Sequence, residues 1–209
     1  EIVNWISGNN TGPSNAQFRI LSNGYLQYGM NTGSWTSVTS NIAVNTGEWV
    51  HVAVVKNGSN VTLYINGVQN TSGTIAQTLT PDEFYIGAYE QDGILTLIAD
   101  SFFEGEIDEV RLWSEARSAN DISADMNRKL AGTETGLLAY YDFNQSSGTS
   151  LPDLTANAYD GTLVNMAGTE WASSAEFNHL ILGDAVNATL SSGLSVAGNL
   201  VLQSDLDLN

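Results

Sequence analysis

Two strand-like runs joined by a short turn place the strongest constraint on how this chain folds. Residues 48–55 read "EWVHVAVV", residues 60–67 read "NVTLYING", and "KNGSN" connects them. β-Branched and aromatic residues favour extended strands, and an Asn-Gly pair between two such runs favours a tight hairpin turn. The sequence therefore predicts an antiparallel hairpin here, with a further turn at Asn66-Gly67.

The same pattern recurs throughout the first three quarters of the chain. Residues 16–30, "AQFRILSNGYLQYGM", place alternating apolar residues on both sides of Asn23-Gly24. Many short strands separated by turn residues at regular spacing are typical of two antiparallel sheets packed face to face. We predict an all-β sandwich.

One segment has the periodicity of a helix instead. Ser118 and Asp121 form a Ser-x-x-Asp start, and Ile122, Met126 and Leu130 then repeat every four residues. This pattern predicts a single amphipathic helix of about three turns. We expect it to pack on the edge of the sandwich.

The charge balance of the chain restricts its partners. Lys and Arg total 6 against 23 Asp plus Glu, a formal net charge of −17. Such a chain repels phosphate backbones and anionic membrane surfaces, which argues against nucleic acid as a partner. None of its apolar runs has the length of a membrane span, so no membrane insertion is expected. An excess of carboxylates suits hard cations, of which calcium is the usual one outside cells, and it also serves solubility.

The end of the chain has a different pattern from the body. Leu and Val recur there on mostly even spacing between Gly and Asn turns, at Leu190, Leu194, Val196, Leu200, Leu202, Leu206 and Leu208. This spacing is typical of a repetitive β module. We predict two units, a sandwich over 1–178 and the start of a repetitive β module over 179–209, within a larger multidomain chain.

Four segments together carry a family resemblance. They are "GEWVHVAVVKNGSNVTLYINGV", "EFYIGA", "FFEGEIDEVRLWSEARSANDI" and "GLLAYYDFNQSSGTSLPDLTANAYDGTLVN". They resemble the laminin-G-like and pentraxin-like domains of the concanavalin A-like lectin/glucanase superfamily, over residues 1–178. The resemblance implies a two-sheet antiparallel jelly-roll sandwich with one short edge helix. It also implies that the first strands of the domain are missing, because the family's Asp-Gly turn and Phe-x-x-x-x-Trp strand do not precede Glu1.

An acidic loop follows the strand "EFYIGA". Glu90, Gln91 and Asp92 lie together in it, and Asp100 follows after an apolar stretch. Their oxygens suit calcium, and mutual repulsion of the carboxylates favours a bound cation. An exposed acidic loop that binds nothing is the alternative, because an acidic chain produces such clusters readily.

The pentraxin resemblance adds one ligand to this loop. In pentraxins a Glu-Gln-Asp triplet, a later acidic residue and an earlier Asp-Asn pair together bind two calcium ions. Here the triplet matches residues 90–92, Asp100 lies one position late, and Asn15 matches the Asn of the pair. Ser14 stands where the family has Asp, so we expect one calcium rather than two.

The run "GEIDEV" raises the alternative of a glycoside hydrolase. The superfamily's family-16 enzymes have a Glu-x-Asp-x-Glu strand whose two Glu residues act as nucleophile and acid/base. Glu106 and Asp108 match that motif, but Val110 and Arg111 occupy the two positions open to the second Glu. Glu109 comes one residue early and on a regular strand faces the other way. We therefore expect no catalytic pair and predict the strand to be structural.

Several rings are candidates for contact with a ligand. Trp35, Tyr89 and Phe102 lie in turn-rich segments or beside the acidic loop, where aromatic rings can stack on sugar faces. Packing in the core or at its rim is the alternative for each. His51 lies between two valines of a predicted strand and is interpreted as a packed structural histidine.

These observations lead to one expected function and two alternatives. We expect a non-catalytic, calcium-dependent recognition or adhesion module with a glycan or cell-surface protein as ligand. The resemblance to domains of large secreted bacterial surface proteins implies an extracellular or cell-surface location. A structural spacer in which calcium gives only rigidity is the second hypothesis, and a glycoside hydrolase is the third.

Overall fold

In the structure, a computed structural model, the regular secondary structure of the described residues consists of short β-strands and one short helix. The residues that it describes are 2–6, 14–79, 83–89, 102–171, 179–182 and 199–202. Within these ranges, no helix has the length and apolar character needed to cross a lipid bilayer. In chain order the elements are β1 (Val3–Ile6), β2 (Ser14–Ile20), β3 (Tyr25–Thr32), β4 (Trp35–Ala43), β5 (Val52–Asn57), β6 (Asn60–Ile65), β7 (Val68–Thr74), β8 (Glu83–Ile86), β9 (Val110–Trp113), α1 (Ala119–Asp125), β10 (Leu137–Tyr141), β11 (Ser150–Leu151), β12 (Gly161–Thr162), β13 (His179–Leu182) and β14 (Asn199–Leu202).

The larger sheet has five antiparallel strands in the order β4-β3-β2-β1-β8. β2 and β3 form the predicted hairpin, and Gly24 turns the chain with a φ of 84°, which only glycine adopts at no steric cost. Because side chains alternate between the two faces of a strand, Leu26 and Tyr28 point into the core. Gln27 and Gly29 therefore lie on the opposite, outer face of the sheet.

The second sheet contains the hairpin that opened the sequence analysis. β5, β6 and β7 are antiparallel and consecutive. The predicted turn between β5 and β6 is confirmed with a small shift, because Asn57 still belongs to β5 and the two-residue turn begins at Gly58. Asn66 and Gly67 have φ values of 49° and 74°, and such consecutive positive values match the strand twist of a tight hairpin.

One core lies between the two sheets. Its buried side chains come from β1 to β4 and from β6, namely Val3, Ala16, Phe18, Leu26, Tyr28, Met30, Val38, Val61, Leu63 and Ile65, with Ile2, Val44 and Ile75 at the ends. The sheets approach closely where β7 crosses β4, since a Cβ added at Gly73 would lie 2.7 Å from Cγ2 of Val38. Antiparallel sheets stacked in this way, with one helix beside them, form the jelly-roll sandwich that the sequence predicts.

The strand predicted to include "GEIDEV" begins later than expected. Only Val110–Trp113 is extended, as β9, and it pairs with β10. Glu109 has a φ of 55°, and this left-handed backbone ends the extended conformation immediately before β9. Phe84 of the larger sheet stacks on Tyr141 of β10 with ring centroids 6.3 Å apart, so the β9-β10 pair packs over β8.

The helix begins as predicted but ends early. Ser118 caps α1: its side chain accepts from the Asp121 backbone N–H, and the Asp121 carboxylate accepts from the Ser118 N–H. The prediction of about three turns is wrong, because α1 has 7 residues. Arg111 of β9 donates to the backbone oxygens of Asp125 and Arg128, each at 2.6 Å, and thereby satisfies carbonyls that a longer helix would use internally.

The last described strands pair differently from the rest. β13 and β14 run parallel, with His179 opposite Asn199 and Leu182 opposite Leu202. Parallel pairing of strands so close in sequence is compatible with stacked rungs of a repetitive module. The boundary at residue 178 stays a prediction.

Candidate functional site

The predicted calcium ligands divide into two groups. Glu90, Gln91, Asp92 and Asp100 lie outside the described residues, so their predicted roles stay predictions. Asn15 is described, and Tyr89 is the residue that directly precedes the acidic triplet. Elsewhere in the described part of the chain, no three His, Asp or Glu side chains converge on one point.

Asn15 lies in β2 on the outer face of the five-stranded sheet. It is 4% exposed, pairs with Ile6 on β1 and Asn31 on β3, and its Nδ2 donates to the Tyr89 hydroxyl at 3.4 Å. Its Oδ1 is buried and has no hydrogen-bond partner within the described ranges. A buried carbonyl oxygen without a partner is costly and is commonly explained by an ordered water or an ion. The donor set here, an amide oxygen near the start of a carboxylate-rich loop, fits a hard cation.

Strand register places Trp35 in line with Asn15. Trp35 pairs with Asn31, Asn31 pairs with Asn15, Asn15 pairs with Ile6, and Ile6 pairs with Glu83. Neighbouring strands are about 4.8 Å apart, so Trp35 and Asn15 stand about 10 Å apart along one row of the same face. The structure therefore places Trp35 and Asn15 on one face of the sheet, with the Tyr89 hydroxyl beside Asn15.

The Trp35 indole lies over the sheet rather than at its rim. A Cβ added at Gly29 would lie 2.1 Å from Cζ2 of Trp35 and 2.7 Å from Cε2, so the indole occupies the space that a side chain at position 29 would need. The Arg19 guanidinium lies 4.8 Å from the ring centroid, a distance at which the cation and the ring attract each other. Even so, Trp35 is 39% exposed.

A hydrogen-bonded set of polar side chains lies next to the indole. Arg19 donates from Nη1 to Gln17 Oε1 at 2.8 Å, and from Nε and Nη2 to Gln27 Oε1 at 3.1 and 2.8 Å. Gln27 in turn donates to the Thr39 hydroxyl at 2.9 Å. The sequence analysis did not identify these residues. The signal was the alternation in β2, where polar Asn15, Gln17 and Arg19 occupy every second position.

Asn4 is a further buried polar residue on this face of the sheet. It is 0% exposed, pairs with Gln17, and its Nδ2 donates to the Ala16 carbonyl at 3.4 Å. Its Oδ1 is a second buried oxygen for which the described residues offer no donor. Hereafter the outer face means the side of the five-stranded sheet that faces away from the core. Its side chains are those of Asn4, Asn15, Gln17, Arg19, Gln27, Asn31, Trp35 and Thr39, of which Asn4, Asn15, Gln17 and Gln27 are buried.

The third predicted aromatic contact lies apart from this set. Phe102 is 51% exposed and follows the segment 90–101, while its neighbour Phe103 packs against the core. The Phe103 N–H donates to the Gly87 carbonyl at 2.8 Å, which places Phe102 beyond the end of β8. Its role as a ligand contact stays a prediction.

The "GEIDEV" carboxylates take part in a structural network. Glu109 forms an ion pair with Arg111 and accepts the Tyr140 hydroxyl at 2.9 Å on both of its oxygens. Burial, followed by the hydrogen bond and charge of Glu109, raises the pKa of Tyr140, so this hydroxyl remains a donor. Burial also raises the pKa of Asp108, and Glu106 is exposed. Glu109 is therefore oriented by its own neighbours and not toward a partner carboxylate.

His51 is packed against the second sheet. Its backbone N–H donates to Asn66 Oδ1 at 2.9 Å, and the Asn66 N–H donates to the His51 carbonyl at 2.8 Å. Burial, reinforced by the charge of Arg111, lowers the pKa of its imidazole to about 4. The side chain is therefore neutral near pH 7, as a structural histidine is.

Known proteins match this chain as follows. A laminin-G-type model of the concanavalin A-like lectin/glucanases superfamily matches residues 2–123, and no curated protein matches the chain. Among solved structures, the chain is similar to a candidate carbohydrate-binding protein from Bacteroides ovatus, with 24% identity and a TM-score of 0.57 over 77% of this chain and 46% of that one. A second is an S-layer domain-containing protein from Clostridium thermocellum, with 29% identity and a TM-score of 0.35 over 57% of this chain and 58% of that one. A third is a heptameric SAP-like pentraxin from Limulus polyphemus, with 19% identity and a TM-score of 0.45 over 58% of this chain and 60% of that one. The chain thus spans between 46% and 60% of the length of these proteins.

Proposed function

The chain belongs to the concanavalin A-like lectin/glucanase superfamily, and from that membership we propose that it is a non-catalytic module that binds a cell-surface glycan in a calcium-dependent manner. The description of the Bacteroides ovatus protein as a candidate carbohydrate-binding protein supports a glycan as the ligand class. We place the module in an extracellular, multidomain surface protein with a role in adhesion. The net charge of −17 supports this placement, because it disfavours nucleic acid and anionic membranes as partners.

The observation that carries the proposal is the buried Oδ1 of Asn15. It lies on the outer face beside Tyr89, and the chain continues from Tyr89 into the acidic triplet. Carboxylate and amide oxygens are the ligands that calcium takes in proteins. Asn15, Glu90, Gln91, Asp92 and Asp100 would hold the ion, which would supply coordination positions for ligand hydroxyls.

The environment of Glu109 supports a non-catalytic role. A retaining glycosidase needs two carboxyl groups about 5 Å apart on either side of the scissile bond. Glu109 is instead bound by Tyr140 and Arg111, and the Arg111 side chain also holds the carbonyls at the end of α1. Moving Glu109 toward a substrate would break these contacts.

A structural spacer with calcium only for rigidity is the second candidate. The parallel β13-β14 pair favours it, because stacked parallel strands fit a repetitive stalk module next to the sandwich. Both candidates use calcium, so they differ in whether a glycan binds.

Calorimetric titration of the metal-stripped protein with calcium tests the ion. We expect saturable binding and a rise in melting temperature, because a ligand that binds only the folded state stabilises it. Asp92→Asn is expected to abolish both effects, whereas Glu106→Gln, at an exposed carboxylate outside the loop, is expected to retain them. No heat and no shift in the unsubstituted protein would refute the calcium site.

A glycan array, run with calcium and again with chelator, tests the ligand. We expect binding that disappears with the chelator and in Asp92→Asn. Calcium binding without any glycan binding would instead support the spacer. Release of sugars from a β-glucan, lost in Glu106→Gln, would overturn the non-catalytic assignment.

A further inference from the structure

We propose that Asn57, at the turn between β5 and β6, is a site of spontaneous covalent modification. Its side-chain amide is converted to an aspartyl or isoaspartyl carboxylate by attack of the Gly58 backbone nitrogen. The sequence has three Asn-Gly pairs, which begin at Asn23, Asn57 and Asn66, and the structure holds two of them in place. The reaction depends on the turn alone and not on the ligand of the module.

An asparagine that precedes a glycine reacts through a cyclic imide. The glycine nitrogen attacks the asparagine Cγ, and the new N–Cγ bond replaces the bond between Cγ and the amide nitrogen, which leaves as ammonia with the proton of the glycine N–H. Water then opens the ring. Cleavage at the side-chain carbonyl gives aspartate, and cleavage at the main-chain carbonyl gives isoaspartate. Glycine favours the first step because it has no Cβ to hinder its nitrogen.

The Asn57-Gly58 pair leaves both reacting groups accessible. Both residues are exposed, and a Cβ added at Gly58 would have no heavy atom within 4 Å. Within the described residues the Asn57 side chain makes no hydrogen bond, and the Gly58 N–H donates to no backbone carbonyl. Lys56 Nζ donates to the Gly58 carbonyl oxygen, which takes no part in ring closure. Water and the attacking nitrogen therefore reach the Asn57 amide without breaking a contact.

The Asn23-Gly24 pair is restrained at both reacting groups. The Gly24 N–H donates to the Leu21 carbonyl at 2.8 Å, and Asn23 Oδ1 accepts from the Tyr25 N–H at 3.3 Å. Gly24 is also buried, and a Cβ added to it would lie 1.9 Å from Oδ1 of Asn45. Ring closure at this pair requires two hydrogen bonds to open and a packed side chain to move.

The Asn66-Gly67 pair is restrained by two other elements. Asn66 Oδ1 accepts from the His51 N–H at 2.9 Å, and the Asn66 N–H donates to the His51 carbonyl at 2.8 Å. Gly67 is buried against α1, where an added Cβ would lie 2.8 Å from Sδ of Met126 and 3.2 Å from Cα of Ser123. The backbone rotation that ring closure needs is therefore possible only after a local opening of the structure.

The products change the hairpin in two ways. Each carries a carboxylate in place of a neutral amide and adds one negative charge to the net charge of −17. Isoaspartate also routes the main chain through Cβ, which adds one backbone atom to a turn that has only two residues between the paired Asn57 and Asn60. Because a two-residue turn fixes the register of its strands, this insertion is expected to loosen the end of the hairpin.

Peptide mapping by mass spectrometry after incubation in mildly alkaline buffer tests the site. The folded protein and the protein unfolded in guanidinium chloride are incubated side by side, and conversion is measured at each Asn-Gly pair. In the folded protein we expect Asn57 to react at least about tenfold faster than Asn23 or Asn66, because each of those must first open two hydrogen bonds. In the unfolded protein we expect similar rates at the three pairs, because these contacts are absent.

Asn57→Gln and Asn60→Gln form a matched pair of variants. Glutamine at position 57 needs a larger ring, so Asn57→Gln is expected to lose the acidic form that ion-exchange chromatography separates. Asn60 is also exposed and lies opposite Asn57, but the side chain of Val61 hinders attack on it, so Asn60→Gln is expected to retain that form.

Three results would overturn the assignment of Asn57. They are conversion of Asn23 or Asn66 as fast as Asn57 in the folded protein, an Asn57 that stays intact while the unfolded chain reacts, and an unchanged preference for Asn57 in the unfolded chain. The last result would show that the preference comes from the neighbouring sequence and not from the fold.

Discussion

Replacing Gly29 by Ala is expected to displace the Trp35 indole from the sheet. Gly29 lies within β3, so alanine fits the extended backbone, but its methyl group would lie 2.1 Å from the indole Cζ2. Two non-bonded carbon atoms cannot remain that close, so one of the two groups must shift. Because the strand backbone is anchored on both sides by hydrogen bonds, the indole is the group that moves.

The size of the effect follows from the area that the indole buries. A fully buried Trp removes up to about 250 Å² from water; since Trp35 is 39% exposed, it buries about 150 Å². Re-exposing half of that area costs about 2 kcal/mol at about 25 cal/mol per Å². Replacement of a strand glycine by alanine returns about 0.5–1 kcal/mol of backbone entropy. We expect Gly29→Ala to lower the free energy of unfolding by about 1 kcal/mol.

A double-mutant cycle isolates this contact. Urea unfolding would be followed for the unsubstituted protein, Gly29→Ala, Trp35→Ala and the double variant. In the Trp35→Ala background the methyl group meets no ring, so Gly29→Ala is expected to be stabilising by about 0.5–1 kcal/mol. Equal effects of Gly29→Ala in both backgrounds would refute the placement of the indole over β3.

Three further predictions concern stability. Burial and the Arg111 charge lower the pKa of His51 to about 4 from an unfolded value of 6.5, so only the unfolded state takes up this proton between those values. The neutral, buried His51 therefore stabilises the folded state by up to about 3 kcal/mol above pH 6.5, and this stabilisation is lost as the pH falls toward 4. The urea midpoint is expected to fall less between pH 7.5 and pH 4.5 in His51→Gln than in the unsubstituted protein. Glu109→Gln removes an ion pair and a hydrogen-bond acceptor and is expected to cost about 1–3 kcal/mol, whereas exposed Glu106→Gln stays within about 0.5 kcal/mol; equal melting temperatures for the two variants would contradict the network. Asp153, 7% exposed, accepts backbone N–H groups at 2.9–3.0 Å. Asp153→Ala is expected to lower the free energy of unfolding by about 2–4 kcal/mol, and an unchanged urea midpoint would contradict this.

Local sequence patterns predicted which strands, turns and helix form better than they predicted where these elements end. The turns at Asn23-Gly24 and Asn66-Gly67 follow from backbone preferences of the residues involved, so they lie where the sequence places them. The predicted end of α1 was wrong, because Arg111 on β9 donates a hydrogen bond to the backbone carbonyl of Asp125, where the helix ends. Short-range periodicity carries no information about such a contact.

The candidate site was predictable in part. Asn15 and Trp35 were identified from a family resemblance and from residue type, and Arg19, Gln17 and Gln27 were missed although their alternation is visible in "NAQFRI" and "YLQYGM". Alternation assigns residues to one face of a strand, but it does not say which strands are neighbours.

The sequence by itself determined the strand-rich fold, the hairpin turns, the face on which each β2 and β3 side chain lies, and the acidic field that disfavours polyanions. These depend on residues adjacent in the chain or on composition alone. The tertiary structure decided that Trp35 rests over Gly29 beside Arg19, and that the Asn15 amide nitrogen donates to the Tyr89 hydroxyl while the Asn15 side-chain oxygen stays buried. Asn15 and Tyr89 are 74 positions apart. Only strand order and register bring such distant residues together, because each depends on the packing of all the strands at once.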